Sequence, residues 1–488
     1  MASRAWLHAG GQASETLDAQ QPHHSQDMGP CRQAGTAHGR HRRESRRRAC
    51  GRRAALCGNR NAAPGVARHQ AVMKPVEAGP TLPLRERDRR WSGLRRIMRS
   101  RAIDAIVVGS FQGRERLESY LSDDFLDAVV VLPLDSPPVM LAFSPSRVSR
   151  AYESVRRGYD CWIDDIRIGY GGGRIAAILA ERGLAEGCIG LVGFGPTAPG
   201  EMEGLLPLGF HASLTAALPR ARVVDFTQNL TDFILLKSDD ELQLLRFAAR
   251  VSEEACQVMA EVCAADVSEA TVYAEVMREI HRWGCDTRYP SFSLQSGPDN
   301  ISWGVPRWTV RAEPPRVLQV GDVVQAEIHT IYGGQEAQVQ MCIALDPLHP
   351  DLMKCESVAR RSYDAGVRAI RPGITFGEVV AAMEGPFRES GCWSKTPLLH
   401  TFTFGSTGFT PLNRDQLANT QEGWIEGQTK VGIRRADLVL QPGMALELEP
   451  NACLGNRRIN IGAGVVVTEG GCEELNDIPT RVFHRAGR

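Results

Sequence analysis

No run of about twenty apolar residues occurs in this chain of 488, so nothing in it is long enough to cross a bilayer as a helix. The apolar segment of a secretory leader is missing too, and the expected setting is cytoplasmic, with no membrane partner. The 13 cysteines are never spaced Cys-x-x-Cys, which argues against a structural zinc site and a disulfide framework. Histidine is scarce: beyond residue 70 there are six, His211, His281, His329, His349, His400 and His484, so imidazole chemistry has few places to reside. The first 70 residues carry twelve Arg against four Asp and Glu, with too little aliphatic surface around His38 to Arg53 to build a core. They also lack interleaved aromatics on which bases stack, and no nucleic-acid partner is expected. Residues 1–80 are read as a disordered, Arg-rich tail; a transit peptide, a nucleic-acid-binding arm and an upstream mis-assigned start codon are the alternatives.

What the chain does hold is internal repetition. Val317 to Glu327 reads VLQVGDVVQAE and Val439 to Glu449 reads VLQPGMALELE, with both ends 122 residues apart (317 to 439, 327 to 449). Val267 to Cys285 and Ile374 to Cys392 form a second pair at an offset of 107, each a capped amphipathic helix ending in Gly-Cys. Two matched segments in the same order imply two similar halves, each setting one Glu at the end of a strand. Packed about a pseudo-twofold axis, they would bring Glu327 and Glu449 face to face.

A hydrophobic content of 43% suffices for two or three buried cores. Trp91, Leu94 and Ile97/Met98 make a helical stripe. Strands follow at Ala105 to Val108, Ala128 to Leu134, Pro138 to Phe143 and Cys188 to Phe194, with a helix near Gly173 to Arg182. This alternation predicts an α/β domain over residues 81–231. Gly171 to Gly173 has no Lys-Ser/Thr behind it and reads as a turn, not a phosphate loop. Ser238 with Glu241, and Thr375 with Glu378, are capping boxes that open helices, and a connecting helix spans about Asp351 to Ile370. Helices beside strands with acidic ends predict an α+β domain with a curved antiparallel sheet over residues 232–488.

Three stretches in this order carry a family resemblance: Leu236-Lys237-Ser238-x-x-Glu241, Gly321-Asp322 leading to Glu327, and Gly443-Met444 leading to Glu449-Pro450. The sequence resembles the pita-bread superfamily of methionine aminopeptidases, Xaa-Pro aminopeptidases, prolidases and creatinase over roughly residues 85–480. The resemblance implies a creatinase-N-like α/β domain ahead of a duplicated α+β pita-bread domain, a homodimer, and hydrolysis of a small C–N-bonded peptide, amide or amidine. Peptidase members of the family hold two divalent ions with two Asp, one His and two Glu, and the ions activate a bridging water. Carried over, those positions fall on Glu327, Gln338, Gly405 or Ser406, Glu449 and a place near Gly462. Only Glu449 matches in type, so no metal ligands are expected. The family His on which metal-free creatinase relies falls on Trp303 of Trp303-Gly304-Val305-Pro306, a side chain that neither accepts a proton nor binds metal.

Strand alternation puts Gln325, Glu327 and His329 on one face, and Glu336, Gln338 and Gln340 on one face of the next strand. Two such polar rows line either a pocket or an exposed sheet edge. In a pocket, Glu449 and Glu327 would share a proton and act as general acid and base, with His329 or His400 as proton shuttle; a structural role is open for both histidines. Gln338, Glu336, Trp303 and Arg307 are the candidate substrate-binding residues. Arg307, Arg311 and Arg316 either clasp a substrate carboxylate or lie on the surface, and Asn300 and Ser302 belong to the same wall. Three functions compete: a metal-independent, cofactor-free hydrolase of the creatinase and aminopeptidase P kind, a non-catalytic relative that binds a ligand or partner in the old cleft, and a metallopeptidase with altered ligands.

Overall fold

The computed structural model describes residues 77–109, 111, 116–124, 126–195, 204–287, 292–395, 397–402, 407–408 and 435–486. Most of the Arg-rich tail therefore lies outside the described residues. After the helix Leu84–Ser100 comes a six-stranded sheet, in spatial order Asp165–Ile168, Val139–Ala142, Ala128–Pro133, Ala105–Gly109, Cys188–Leu191 and Arg222–Asp225. Its central strand Ala105–Gly109 is buried throughout. Ile106 and Val108 pack toward Leu94 and Met98 of the first helix, while Ala105 and Val107 pack toward Ile175 and Leu179 of the helix Gly172–Glu181. Helices thus cover both faces, as an unbroken apolar strand requires.

The helix Thr227–Leu235 runs past residue 231 and leads to Ser238. There the expected capping box forms: Glu241 N donates to Ser238 Oγ at 3.2 Å, and Ser238 N to Glu241 Oε2 at 2.8 Å. Glu241 does more than cap. Fully buried, it also accepts from Arg89 at 2.9 Å and Arg90 at 3.1 Å, both on the first helix. Arg90 in turn donates to Glu86 at 2.8 Å and to the Tyr120 carbonyl at 2.9 Å, and lies over the Tyr120 ring at 4.0 Å. One carboxylate therefore starts the long helix Asp239–Val262 and fastens it to the α/β layer.

The duplication is written into the backbone. Ser268 caps the helix Glu269–Arg282 and bridges to Val317; Thr375 caps Phe376–Ser390 and bridges to Val439. These are the same 107- and 122-residue offsets. Gly284 and Gly391 follow the two helices at φ 74° and 73°, and Gly321 and Gly443 turn into the two strands at φ 89° and 87°. Only glycine takes that conformation without strain.

The main sheet runs in the order Thr407–Gly408, Leu399–Thr401, Ala445–Leu448, Gly462–Val467, Gln335–Asp346, Val323–Tyr332 and Ser293–Ser296. Val482–Ala486 adds to Gln335–Asp346 in parallel. Helices Asp239–Val262 and Glu269–Arg282 pack on Val324, Ala326 and Ile328. Helix Pro350–Ala369 and its neighbour Phe376–Ser390 pack on Leu446, Leu448 and Val465. Alternation then turns Gln325, Glu327 and His329, and Glu447 with Glu449, to the opposite face. A small sheet of Trp393–Ser394, Asn451–Leu454 and Arg457–Asn460, not anticipated from the sequence, stands beside them. No helix among the described residues is long and apolar enough to cross a membrane.

Candidate active site

The strand of Glu327 is interior to the sheet, and Gln325, Glu327 and His329 are each at most 3% exposed. The polar rows therefore face a closed interior, not a sheet edge. Register sets Glu327 opposite Gln340 on one side and Ser293 on the other, with His329 opposite Gln338. Glu327 Oε1 accepts from Gln338 Nε2 at 3.0 Å and Gln340 Nε2 at 3.3 Å. Its Oε2 accepts from Trp303 Nε1 at 2.5 Å and Ser293 Oγ at 3.4 Å. The Gln340 amide also donates to Glu449 Oε2 at 2.9 Å, so one N–H group joins the carboxylates of the two halves. Glu449 Oε1 stands 3.7 Å from His400 Nε2, and His400 Nδ1 lies 3.1 Å from the Thr401 carbonyl. Donation from Nδ1 to that carbonyl leaves Nε2 to exchange a proton with Glu449.

Burial alone would raise Glu327. The closeness and charge of His329 at 3.6 Å come first, with the contact to Glu449 and the hydrogen bond donated by Trp303, and together they hold it down to about 2. Burial pushes His329 down, but Glu327 at 3.6 Å from Nε2 and Glu336 at 2.8 Å from Nδ1 outweigh it and raise its pKa. Glu447 is the opposite case. Its two carboxylate oxygens are buried without a hydrogen-bond partner among the described residues, and burial, reinforced by the charges of Glu327 and Glu336, drives its pKa well up. Its burial favours the protonated form over the charged one. Sequence reading missed Glu447, although it is two residues before Glu449 on the same strand face.

These shifts have opposite signs in pH. The contribution of His329 is complete below its ordinary value of 6.5 and lost as pH rises through the raised one; that of Glu327 is complete above 4.5 and lost as pH falls toward about 2. The melting temperature is expected to hold in weakly acidic to neutral solution and decline on the alkaline side, and His329→Gln to remove the alkaline decline. A native chain whose unfolding is flat from roughly pH 6 to 9 would contradict the buried ion pairs.

Trp303 spans from an exposed position to Glu327. Arg307 is exposed and pairs with Glu313 at 3.0 Å, Arg311 also approaches Glu313, and Arg316 is bound to Asp322. Asn300 accepts from Ser302 within its own loop. None of these arginines is brought to Glu327. The basic groups near it are Arg458 and Lys395, which the sequence reading passed over.

The described members of the family's metal-ligand positions do not fit a pair of ions. Gln338 and Gln340 aim N–H donors at Glu327, where ligands would present lone pairs. At Gly462 a Cβ would stand 2.3 Å from the Leu448 carbonyl oxygen and 2.4 Å from Gln340 Oε1, so no acid can sit there. Gly405 and Ser406 lie outside the described residues. Gly462→Ala is expected to destabilise the fold by about 1–3 kcal/mol, since a backbone oxygen cannot step aside. Unchanged denaturant unfolding would show the strand pair to be looser than drawn.

Comparison with known proteins agrees with this architecture. Residues 90–234 match the Creatinase/Prolidase N-terminal domain and residues 243–469 match Metallopeptidase family M24. The chain is 22% identical to creatinase of a Bacillus species, covering 82% of this chain and 92% of that one. It is 23% identical to ectoine hydrolase of Halomonas elongata, covering 81% and 96%. Among solved structures, the X-Pro aminopeptidase of Thermotoga maritima superposes with a TM-score of 0.63 at 15% identity, over 81% of this chain and 99% of that one. The Xaa-Pro dipeptidase of Bacillus anthracis gives 0.61 at 18%, over 82% and 100%. With the duplicated halves, the order of domains and these matches in hand, the chain belongs to the pita-bread superfamily of creatinase and the Xaa-Pro peptidases.

Proposed function

We propose that this protein hydrolyses a C–N bond of a small amide, amidine or short peptide without a metal ion. The observation that carries the reading is the Gln340 amide, which donates to Glu327 at 3.3 Å and to Glu449 at 2.9 Å. It links two acids by N–H donation in the place where a paired-ion site needs ligands. Glu327 has its lone pairs committed to four donors, with the His329 ring 3.6 Å away, so it serves as a fixed negative charge that orders the site. Glu449 and His400 form the proton-handling pair. Glu449 takes a proton from the attacking water, the water oxygen bonds to the carbonyl or amidine carbon, and the C–N bond breaks as the proton is returned to the leaving nitrogen. Glu447, buried two residues before Glu449, is placed to stabilise negative charge that develops in the transition state.

The relatives named creatinase and ectoine hydrolase, each matching over most of its length, support hydrolysis as the reaction class. Turnover of a panel of amides, amidines and Xaa-Pro dipeptides, before and after exhaustive chelation, tests the proposal. Activity on at least one member, unchanged by the chelator and not increased by Mn, Co or Zn, is expected. Activity that disappears with chelation and returns with metal overturns metal independence. Binding without product across the panel would favour the non-catalytic alternative.

A further inference from the structure

Arg87, Trp91, Arg95 and Arg99 recur at every fourth position of the first helix, so they form one stripe along it. Beside the stripe runs the turn between the strands Ala128–Pro133 and Val139–Ala142. Trp91, Arg95 and Arg99 on one side and Leu134, Asp135 and Pro137 on the other enclose an open groove of about 430 Å³. That volume falls within the usual range of small-molecule sites, about 300–1,000 Å³. None of the lining residues belongs to the reaction centre.

The walls are held by the protein's own bonds. Arg95 Nε donates to the Pro133 carbonyl at 3.1 Å and its Nη2 to the Ser136 carbonyl at 2.5 Å, which pins the turn to the helix. The Trp91 indole N–H donates to the Leu121 carbonyl at 3.0 Å, and Arg87 lies over its ring at 5.0 Å.

The charges of the groove are not balanced within it. Arg95 is half-buried; burial holds its pKa below the ordinary value, and Arg99 adds to that depression against the pull of Asp135. Its two carbonyl partners occupy N–H donors but leave the positive charge in place. Arg99 meets Asp135 at 3.2 Å with side chains 56% and 77% exposed, a pair worth little in water. Two guanidiniums against one carboxylate leave a single net positive charge, set beside the apolar surfaces of Trp91, Leu134 and Pro137.

We propose that this groove binds a singly charged organic anion with a flat apolar body, its head on Arg95 and Arg99 and its body along Trp91 and Pro137. The planar, multiply donating guanidinium suits such a head. Binding takes Arg99 from Asp135. The site does not rest on the hydrolase reading.

The test is calorimetric titration of the full chain with 2-naphthoate and with 2-acetylnaphthalene, which has the same ring and no charge. The acid is expected to bind at least about tenfold more tightly. Arg99→Gln, a change at an exposed side chain, is expected to remove most of that preference, and Arg95→Lys to reduce it. Asp135→Asn should act in the opposite direction. It removes the carboxylate that competes for Arg99, so 2-naphthoate should bind about two- to fivefold more tightly, the worth of an exposed ion pair. A purely structural Arg99–Asp135 contact would give no such gain. Equal binding of acid and ketone by the native chain overturns the proposal, as does a native preference in folded Arg99→Gln or weaker acid binding by Asp135→Asn. An acid bound at the reaction centre would show the native preference in both variants, which tells the two places apart. Tighter binding of 2-naphthyl phosphate than of 2-naphthoate would overturn the assignment of a single charge.

Discussion

Glu449→Gln is expected to lower kcat by about 10²- to 10⁴-fold, the usual share of a positioned general acid–base group, while leaving thermal unfolding nearly unchanged. The substitution keeps the carbonyl oxygen that the Gln340 amide requires at 2.9 Å, so the two halves stay joined. What it removes is the capacity to take and return a proton. His400→Gln should slow the same step less and alter its pH profile, because His400 faces Glu449 at 3.7 Å. KM should move little in either variant if the residues act on the reacting atoms and not on substrate capture. A Glu449→Gln enzyme with native kcat would place the chemistry elsewhere, and Glu447 would be the next residue to replace.

Arg90→Ala is expected to cost about 3–5 kcal/mol, measured by denaturant unfolding, because it leaves buried carboxylates without their counter-charge. Arg90, Glu86 and Glu241 are 2%, 1% and 0% exposed, so water cannot replace the guanidinium. Arg89 still reaches Glu241 and Glu86, and it softens the loss without making it good. Since Glu241 also caps the helix Asp239–Val262, the start of that helix should fray in the variant, with faster amide exchange at Ser238 and Glu241. A loss below about 1 kcal/mol for Arg90→Ala alone would mean that the network is solvated like a surface pair.

Much of this was legible in the residues. The offsets of 107 and 122 reappear as paired bridges and paired glycine turns because local signals set them: caps, Gly at positive φ, and an apolar face on each helix. The inward rows through Glu327 and Gln338 followed from period-two alternation. Arg307 illustrates the limit. Sequence proximity to Trp303 suggested a place in the site, but Glu313 lies within reach and takes its charge at the surface. Arg458 and Lys395 were missed for the converse reason. Their placement depends on the pairing of Trp393–Ser394 with Asn451–Leu454 and Arg457–Asn460, strands too short to announce themselves. Glu447 was hidden by its setting among Leu446 and Leu448, which reads as core until the face of the strand is known.

The bond from Gln340 to Glu449 spans 109 positions of sequence and that from Arg458 to Gln295 spans 163. Closing loops of that size must wait until both halves exist. The partners of Glu327 on its own and the next strand, His329, Gln338 and Gln340, all precede residue 341, whereas the second acid that Gln340 holds comes 109 positions later. The proton-handling pair comes into being only when the last strands are laid down. On the proposed reading, a chain released before the strand of Glu449 is made would carry the Glu327 half of the centre and turn nothing over.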